Sequence, residues 1–172
     1  MATHLATLGL LVVFPFFMAY AAANDLLTML IPNRISLGLV AAFALVAATG
    51  IMSWAEIGQH VGAGLLVLTV TFTLFALGTI GGGDAKLAAA TALWLGFDQL
   101  ADYLLIAGVA GGILTLGLLA ARAHPLPYPV ARLPFALHLH DAKTGVPYGI
   151  ALAFAALIVV PDTVLWARAL AG

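Results

Sequence analysis

The run YLLIAGVAGGILTLGLLAA, Tyr103–Ala121, decides the fold: it is nineteen residues without a charge. A helix needs roughly 20 apolar residues to cross a hydrocarbon core about 30 Å thick. Lipid offers the backbone no hydrogen-bond partners, so such a run satisfies its own N–H and C=O groups as a helix. Five further stretches read the same way: Leu5–Ala23, Ile35–Met52, Ile57–Ile80, Ala85–Phe97 and Tyr148–Leu170. Ala85–Phe97 is short, so it is expected either to span or to form a half-buried or water-lined segment. The expectation is an all-α, polytopic transmembrane bundle of about six helices, forming one integral-membrane domain over residues 1–172.

Composition supports this reading. The chain is 64% hydrophobic and 8% charged, against about 25% charged for a soluble domain. Its mean hydropathy is +1.15. A chain so poor in charge cannot cover a surface in water, so the lipid bilayer is its expected solvent. The alternation expected of a transmembrane barrel is absent. The formal net charge of −1 gives no sign of a nucleic-acid partner. With no cysteine, disulfides, thiolate zinc sites and a Cys nucleophile are all excluded. The first stretch has no Lys or Arg ahead of it and several apolar stretches behind it, so it is expected to stay as a helix rather than be cleaved as a signal peptide.

Charge sorts the connections into two sets. Arg34, Lys86, Arg122, Arg132 and Lys143 fall in or beside alternate connections, five of the six Lys and Arg in the chain. Glu56, Asp98 and Asp102 fall in the others, and Arg168 is the exception. The positive-inside bias then places the first set in the cytoplasm and both termini outside. The longest connection, Arg122–Pro147, is broken by Pro125, Pro127, Pro129 and Pro134, which forbid one long helix. Its His138, His140 and Asp141 read as a solvated surface cluster rather than a metal site, because histidine spacing alone is weak evidence.

An ionisable side chain at membrane depth costs at least about 2.5–3.5 kcal/mol and is a functional candidate by default. Asp98, Asp102 and Glu56 are accounted for as solvated ends, Asp141 by its loop, and Asp162, after Pro161, by a helix kink or snorkelling. Asp25 and Asp84 differ, since both end apolar helices on the same expected face. Asp25 is followed by an apolar run up to Pro32 and Asn33; Asp84 follows Gly81-Gly82-Gly83 and precedes Lys86. The three glycines are expected to adopt backbone conformations other residues avoid, and to let another backbone come close. A simpler reading makes Asp84 a helix N-cap. Two carboxylates brought together share one proton, because both cannot ionise cheaply. One can then take a proton from water while the other polarises a carbonyl. That chemistry needs no metal or cofactor.

Gly81-Gly82-Gly83-Asp84 resembles the Gly-x-Gly-Asp motif of intramembrane aspartyl proteases. Its continuation through Lys86 to Trp94-Leu95-Gly96, with Asp25 followed by Ile31-Pro32-Asn33, resembles the type IV prepilin peptidases. Pro147-Tyr148-Gly149, opening the last helix, is similar to the short members that serve Tad/Flp pili. The resemblance implies an aspartic endopeptidase with Asp25 and Asp84 as catalytic pair, and Gly81, Gly83, Lys86 and Asn33 shaping the site or binding substrate. The implied substrate is a prepilin or pseudopilin whose short basic leader is removed at the cytoplasmic face, just ahead of the mature protein's hydrophobic segment. Larger relatives carry a segment with paired cysteines and also methylate the new N-terminus; without cysteine, this chain is expected to be a peptidase only. Arg34 and Lys86 read either as partners of the pair or as membrane anchors.

Two other classes remain beside this one. A small transporter or proton channel would place its carboxylates near mid-membrane. A non-catalytic pilus or secretion assembly factor would need only helices packed through small residues, for which Gly58, Gly62 and Gly108–Gly112 are candidates. The presenilin branch fits less well, since Asn24 stands before Asp25 and the late motifs are Pro125-Leu126-Pro127 and Pro147-Tyr148-Gly149.

Overall fold

A computed structural model describes His4 and residues 7–171. Leu5, the expected start of the first stretch, lies outside the described residues. The described chain is helical throughout: α1 Gly9–Thr28, α2 Asn33–Ala47, α3 Trp54–Ala76, α4 Gly82–Leu95, α5 Leu100–Arg122, α6 Pro134–His140, α7 Tyr148–Val159 and α8 Val164–Ala171. The first turns of α1, Gly9–Val13, are wound as a π-helix. Among the described residues α1, α3 and α5 are each long and apolar enough to cross a membrane, and α7 with α8, bent by 58°, together have the length and apolarity of a broken span or a re-entrant loop. The protein is a multi-pass membrane protein.

The remaining two apolar stretches are shorter than a full span. At 1.5 Å per residue α2 and α4 are about 22 and 21 Å long, against about 30 Å of hydrocarbon. Their limits have local causes. Met29 takes a left-handed backbone (φ 56°) after α1, and Pro32 caps α2, so the chain turns there. Gly96 (φ 70°) stops α4. Val160–Asp162 winds as a 3-10 turn around Pro161 and breaks the last stretch between α7 and α8, because proline cannot continue the i→i−4 ladder. The expected single run Tyr148–Leu170 is therefore two helices, and Asp162 sits exposed at the kink.

The short α4 is the centre of the bundle. Ala85, Leu87–Ala92, Trp94 and Leu95 are all buried, so this helix is enclosed by protein rather than by lipid or water. It packs on α2 and α3 on one side and on α7 on the other, with α1 and α5 flanking α7. Trp94 is fully buried between Phe14 and Phe43, at ring-centroid distances of 5.3 and 5.8 Å, and its indole N–H donates to the Leu39 carbonyl at 3.0 Å. The α3 side is tied by His60 Nδ1, 2.9 Å from the Leu93 carbonyl.

Charges separate by end. Glu56 and Arg168 meet at 2.6 Å, so the cation that broke the expected charge sorting is neutralised by the acid of its own end. At the other end Arg122 donates to the carbonyls of Leu139 (2.8 Å), Thr144 (3.2 Å) and Gly145 (2.9 Å), drawing the 123–147 connection back to the start of α7. That connection holds a 3-10 turn at Val130–Arg132 and the short α6, which rests on α1 and α5.

Not all the glycines expected to pack do so. A Cβ built at Gly58, Gly108 or Gly112 meets nothing within 4 Å, because these positions face outward, whereas one at Gly62 would come within 3.1 Å of the Phe97 ring. Gly111 is the tightest: a Cβ there would fall 2.1 Å from the Tyr148 ring. Gly111→Ala should therefore lower stability by about 1–3 kcal/mol, the usual cost of overpacking. Gly112→Ala, one residue on, should not lower it. Unfolding midpoints of the two variants in detergent check this.

Candidate active site

Asp25 lies in the last turn of α1 rather than after it, on the face turned toward α7. It is 5% exposed. Buried carboxylates need hydrogen-bond donors, and its Oδ2 accepts the Gly149 backbone N–H at 2.7 Å. Gly149 is the second residue of α7, after Pro147 and Tyr148. An N–H in that position has no acceptor inside its own helix, and the positive end of the helix dipole faces the carboxylate.

The same contact accounts for Gly149 being glycine. A Cβ there would come within 2.8 Å of Asp25 Oδ2 and 2.7 Å of Ile31 Cδ1. Tyr148 fixes the approach, because its ring fills the slot at Gly111 and its hydroxyl donates to the Ala107 carbonyl at 3.2 Å. Gly149 is the site residue that sequence reasoning missed as a ligand of the carboxylate. Its signal was the Pro147-Tyr148-Gly149 motif at a helix start, but nothing local showed what the freed N–H would meet.

Asp84 is the third residue of α4, with Gly81 as N-cap, so it is not itself the cap. It is within electrostatic range of Asp25. Its Oδ1 is buried and has no hydrogen-bond partner among the described residues. The structure thus brings together the two carboxylates that are 59 residues apart in sequence (84 − 25). Ile31 bridges their surroundings, since it contacts Gly149 on one side and a Cβ at Gly83 would lie 3.0 Å from its Cβ on the other. Each carboxylate therefore sits at the N-terminus of a different helix, Asp25 at α7 and Asp84 at α4.

Of the two reasons expected for the glycine triplet, close approach holds and unusual backbone does not. None of Gly81, Gly82 and Gly83 has a positive φ. They are needed for space: a Cβ would meet Asp84 Oδ2 at 2.8 Å from Gly81, the Phe75 ring at 3.0 Å from Gly82, and Ile31 from Gly83. Lys86 and Asn33 meet each other, with Nζ donating to Asn33 Oδ1 at 2.9 Å, on the α2 side of α4. Arg34 donates to the Tyr20 hydroxyl and lies over that ring, 5.4 Å from its centroid. Neither cation forms an ion pair with Asp25 or Asp84. Among the described residues no three His, Cys, Asp or Glu side chains gather as a metal site, His138, His140 and Asp141 included.

A paired, buried and partly unsatisfied set of carboxyl oxygens suits general acid–base chemistry on a bound polar group. The profile of the type IV leader peptidase family matches residues 12–116, which include Asp25 and Asp84 but stop short of Gly149. A prepilin leader peptidase/N-methyltransferase of Aeromonas salmonicida (strain A449) is 35% identical over 118 residues, 64% of this chain and 40% of that protein. A protein of the same name from Aeromonas hydrophila is 34% identical over 118 residues, again 64% and 40%. The chain spans about 40% of the length of these curated relatives. No solved structure matches it significantly.

The Gly149 amide should exchange its hydrogen slowly, although first-turn amides of a helix ordinarily lack an acceptor. Asp25→Ala should speed that exchange about tenfold or more, as expected for losing a charge-assisted hydrogen bond. Asp84→Ala should change it far less. Hydrogen exchange in detergent, resolved at Gly149, checks both.

Proposed function

Because this chain belongs to the type IV leader peptidase family, we propose that it is a membrane aspartyl endopeptidase that removes the short basic leader from type IV prepilin-like substrates of the Flp type. The observation that carries the reading is the convergence of Asp25 and Asp84, each at a helix N-terminus and in electrostatic range of the other. In the proposed reaction the pair holds one proton. The ionised member takes a proton from water, whose oxygen attacks the scissile carbonyl, and the protonated member donates to the carbonyl oxygen. Collapse of the tetrahedral adduct breaks the C–N bond: the leaving amine takes up a proton from the pair, and one hydroxyl of the adduct returns a proton to the pair as the new carboxyl group forms. Each step leaves the pair with a single shared proton, so acid and base roles belong to the pair rather than to one residue.

The cleavage face is proposed to be cytoplasmic, with both termini outside. The sorting of Lys and Arg supports this, as does the clustering of Arg122 and the 123–147 connection at the end of the bundle where α7 begins. Such a face meets a basic leader before the following apolar segment enters the bilayer. The short α6, resting on α1 beside that end, is placed to cover the site. We propose the cleavage step alone for these residues, without methylation of the product, because the carboxyl pair is the reactive group that the described residues assemble. A transporter reading has less support, since Asp25 and Asp84 sit in terminal helix turns. A scaffold reading leaves the buried, unsatisfied Asp84 Oδ1 without a purpose.

Co-expression with a candidate Flp-type prepilin, followed by gel shift, tests the reading. Asp25→Asn and Asp84→Asn, at equal membrane levels, should each reduce leader removal at least about 100-fold, the low end for losing a general acid or base. Full processing by either variant would remove the two-carboxylate mechanism. The product released by the wild type should carry an unmethylated amine by mass spectrometry. Gly149→Ala keeps both acids but displaces Asp25, and should also cost about 100-fold, the scale of an ångström-sized misplacement.

A further inference from the structure

Consecutive helices in a bundle ordinarily pack on each other, but α2 and α3 do not. Both pack on α4 and scarcely touch one another. The gap between them is a groove of about 820 Å³. Its floor is made by small residues, Ala89 and Ala90 of α4 and Gly64 of α3; its walls are apolar, among them Val40 and Ala44 of α2 and Leu65 of α3. Its polar rim is Asn33, Ser36 and Lys86, with Lys86 the sole charged residue lining it.

We infer that this groove receives a transmembrane helix, namely the apolar segment that follows the cleavage point of the substrate. The inference rests on the leader-peptidase reading above. Length argues for a helix rather than a lipid. The lining runs along α2 from Asn33 to Ala48, about 22 Å at helical rise. One leaflet of hydrocarbon is about half of 30 Å, so an acyl chain entering from one surface would fill only part of it. The floor argues the same way, because small residues allow the backbone of another helix to approach closely.

The groove ends close to the site, at Asn33 and Lys86. Asp84 and Lys86 are two residues apart on α4, so their Cα atoms lie about 5 Å apart on nearly opposite faces of the helix. Between groove and carboxylates stands the N-terminus of α4, where Gly82 and Gly83 present no side chain. A peptide bond held at Asp25 and Asp84 is thus a few residues, around the start of α4, from a helix that begins beside Asn33 and Lys86. The polar rim marks where the helix ends and the extended, cleavable peptide starts.

The chain has no cysteine, so a single introduced thiol is the only one present. Ala44→Cys and Leu65→Cys would be paired, in membranes, with a Flp-type prepilin carrying single cysteines along its apolar segment. Ile113→Cys on α5, also lipid-facing at 67% exposure, is the control. Disulfide cross-links should form at the two groove positions with helical periodicity and not at Ile113. Equal cross-linking at Ile113, or none in the groove while leader removal continues, would overturn the inference and leave the peptidase reading standing. Ala44→Phe, which fills the groove from an exposed position, should raise KM for the full prepilin about tenfold with little change in kcat, the pattern of lost uniform binding. A short peptide made of the leader and the first few residues after the scissile bond, but lacking the rest of the apolar segment, should be cut equally by Ala44→Phe and wild type. If the wild type cuts neither substrate, the peptidase reading itself fails. If Ala44→Phe handles both substrates like the wild type, the groove is a lipid site and the inference is wrong.

Discussion

The arrangement of the site depends on one hydrogen bond, from the Gly149 amide to Asp25. Burying a carboxylate in an apolar bundle is costly unless donors face it. The first turn of a helix is a ready source, since its N–H groups have no internal acceptor. Here the donor comes from the last long element of the chain and the acceptor from the first, 124 residues apart. That closure brings α7 across α1 and against α4, and so sets the distance between the two aspartates. Tyr148 and Gly111 hold the donor helix in register, and Arg122 fixes the loop that leads into it. Much of the packing at that end of the bundle positions one backbone amide.

The central helix shows the complementary constraint. α4 is too short to span and is enclosed by α2, α3 and α7 over most of its length, so it can carry Asp84 inside the protein. Its glycine start removes the side chains that would otherwise stand between Asp84, Ile31 and the Gly149 turn. A longer helix with an ordinary cap would have lifted the carboxyl toward solvent. Shortness and the glycine triplet are two parts of one geometric solution.

Most of the helical elements were legible because membrane solvation leaves the backbone few options. The apolar runs and the charge sorting follow from composition, and Asp25 and Asp84 stood out as costly residues placed at helix ends. The rest was hidden for physical reasons. A kink at Pro161 was one of two readings of Asp162, but hydropathy alone joined Tyr148–Leu170 into one run and did not show that it divides into two helices. Gly81–Gly83 allowed two readings, unusual backbone angles or close approach, and only packing against Asp84, Phe75 and Ile31 decides for the second. Gly58, Gly108 and Gly112 looked like packing positions, yet in a membrane protein a small residue on the lipid face carries no such information. The role of Gly149 and the gap between α2 and α3 are tertiary facts without a local pattern.

The cations make the final point about the site. Lys86 donates to Asn33, Arg34 to Tyr20, and Arg122 to carbonyls of the loop, all neutral partners. A lysine or arginine set against two buried carboxylates would favour ionising both, and a doubly ionised pair has no proton to give a carbonyl. Helix N-termini provide a gentler field: backbone donors orient the carboxyl groups and lower the cost of their burial without adding a full positive charge. The proposed pair is thereby left to share its proton between two equivalent kinds of site, each at the start of a helix. Basic side chains stay nearby, at the end that the proposed orientation makes cytoplasmic, but are occupied with neutral acceptors, which makes that orientation compatible with the proposed carboxyl chemistry.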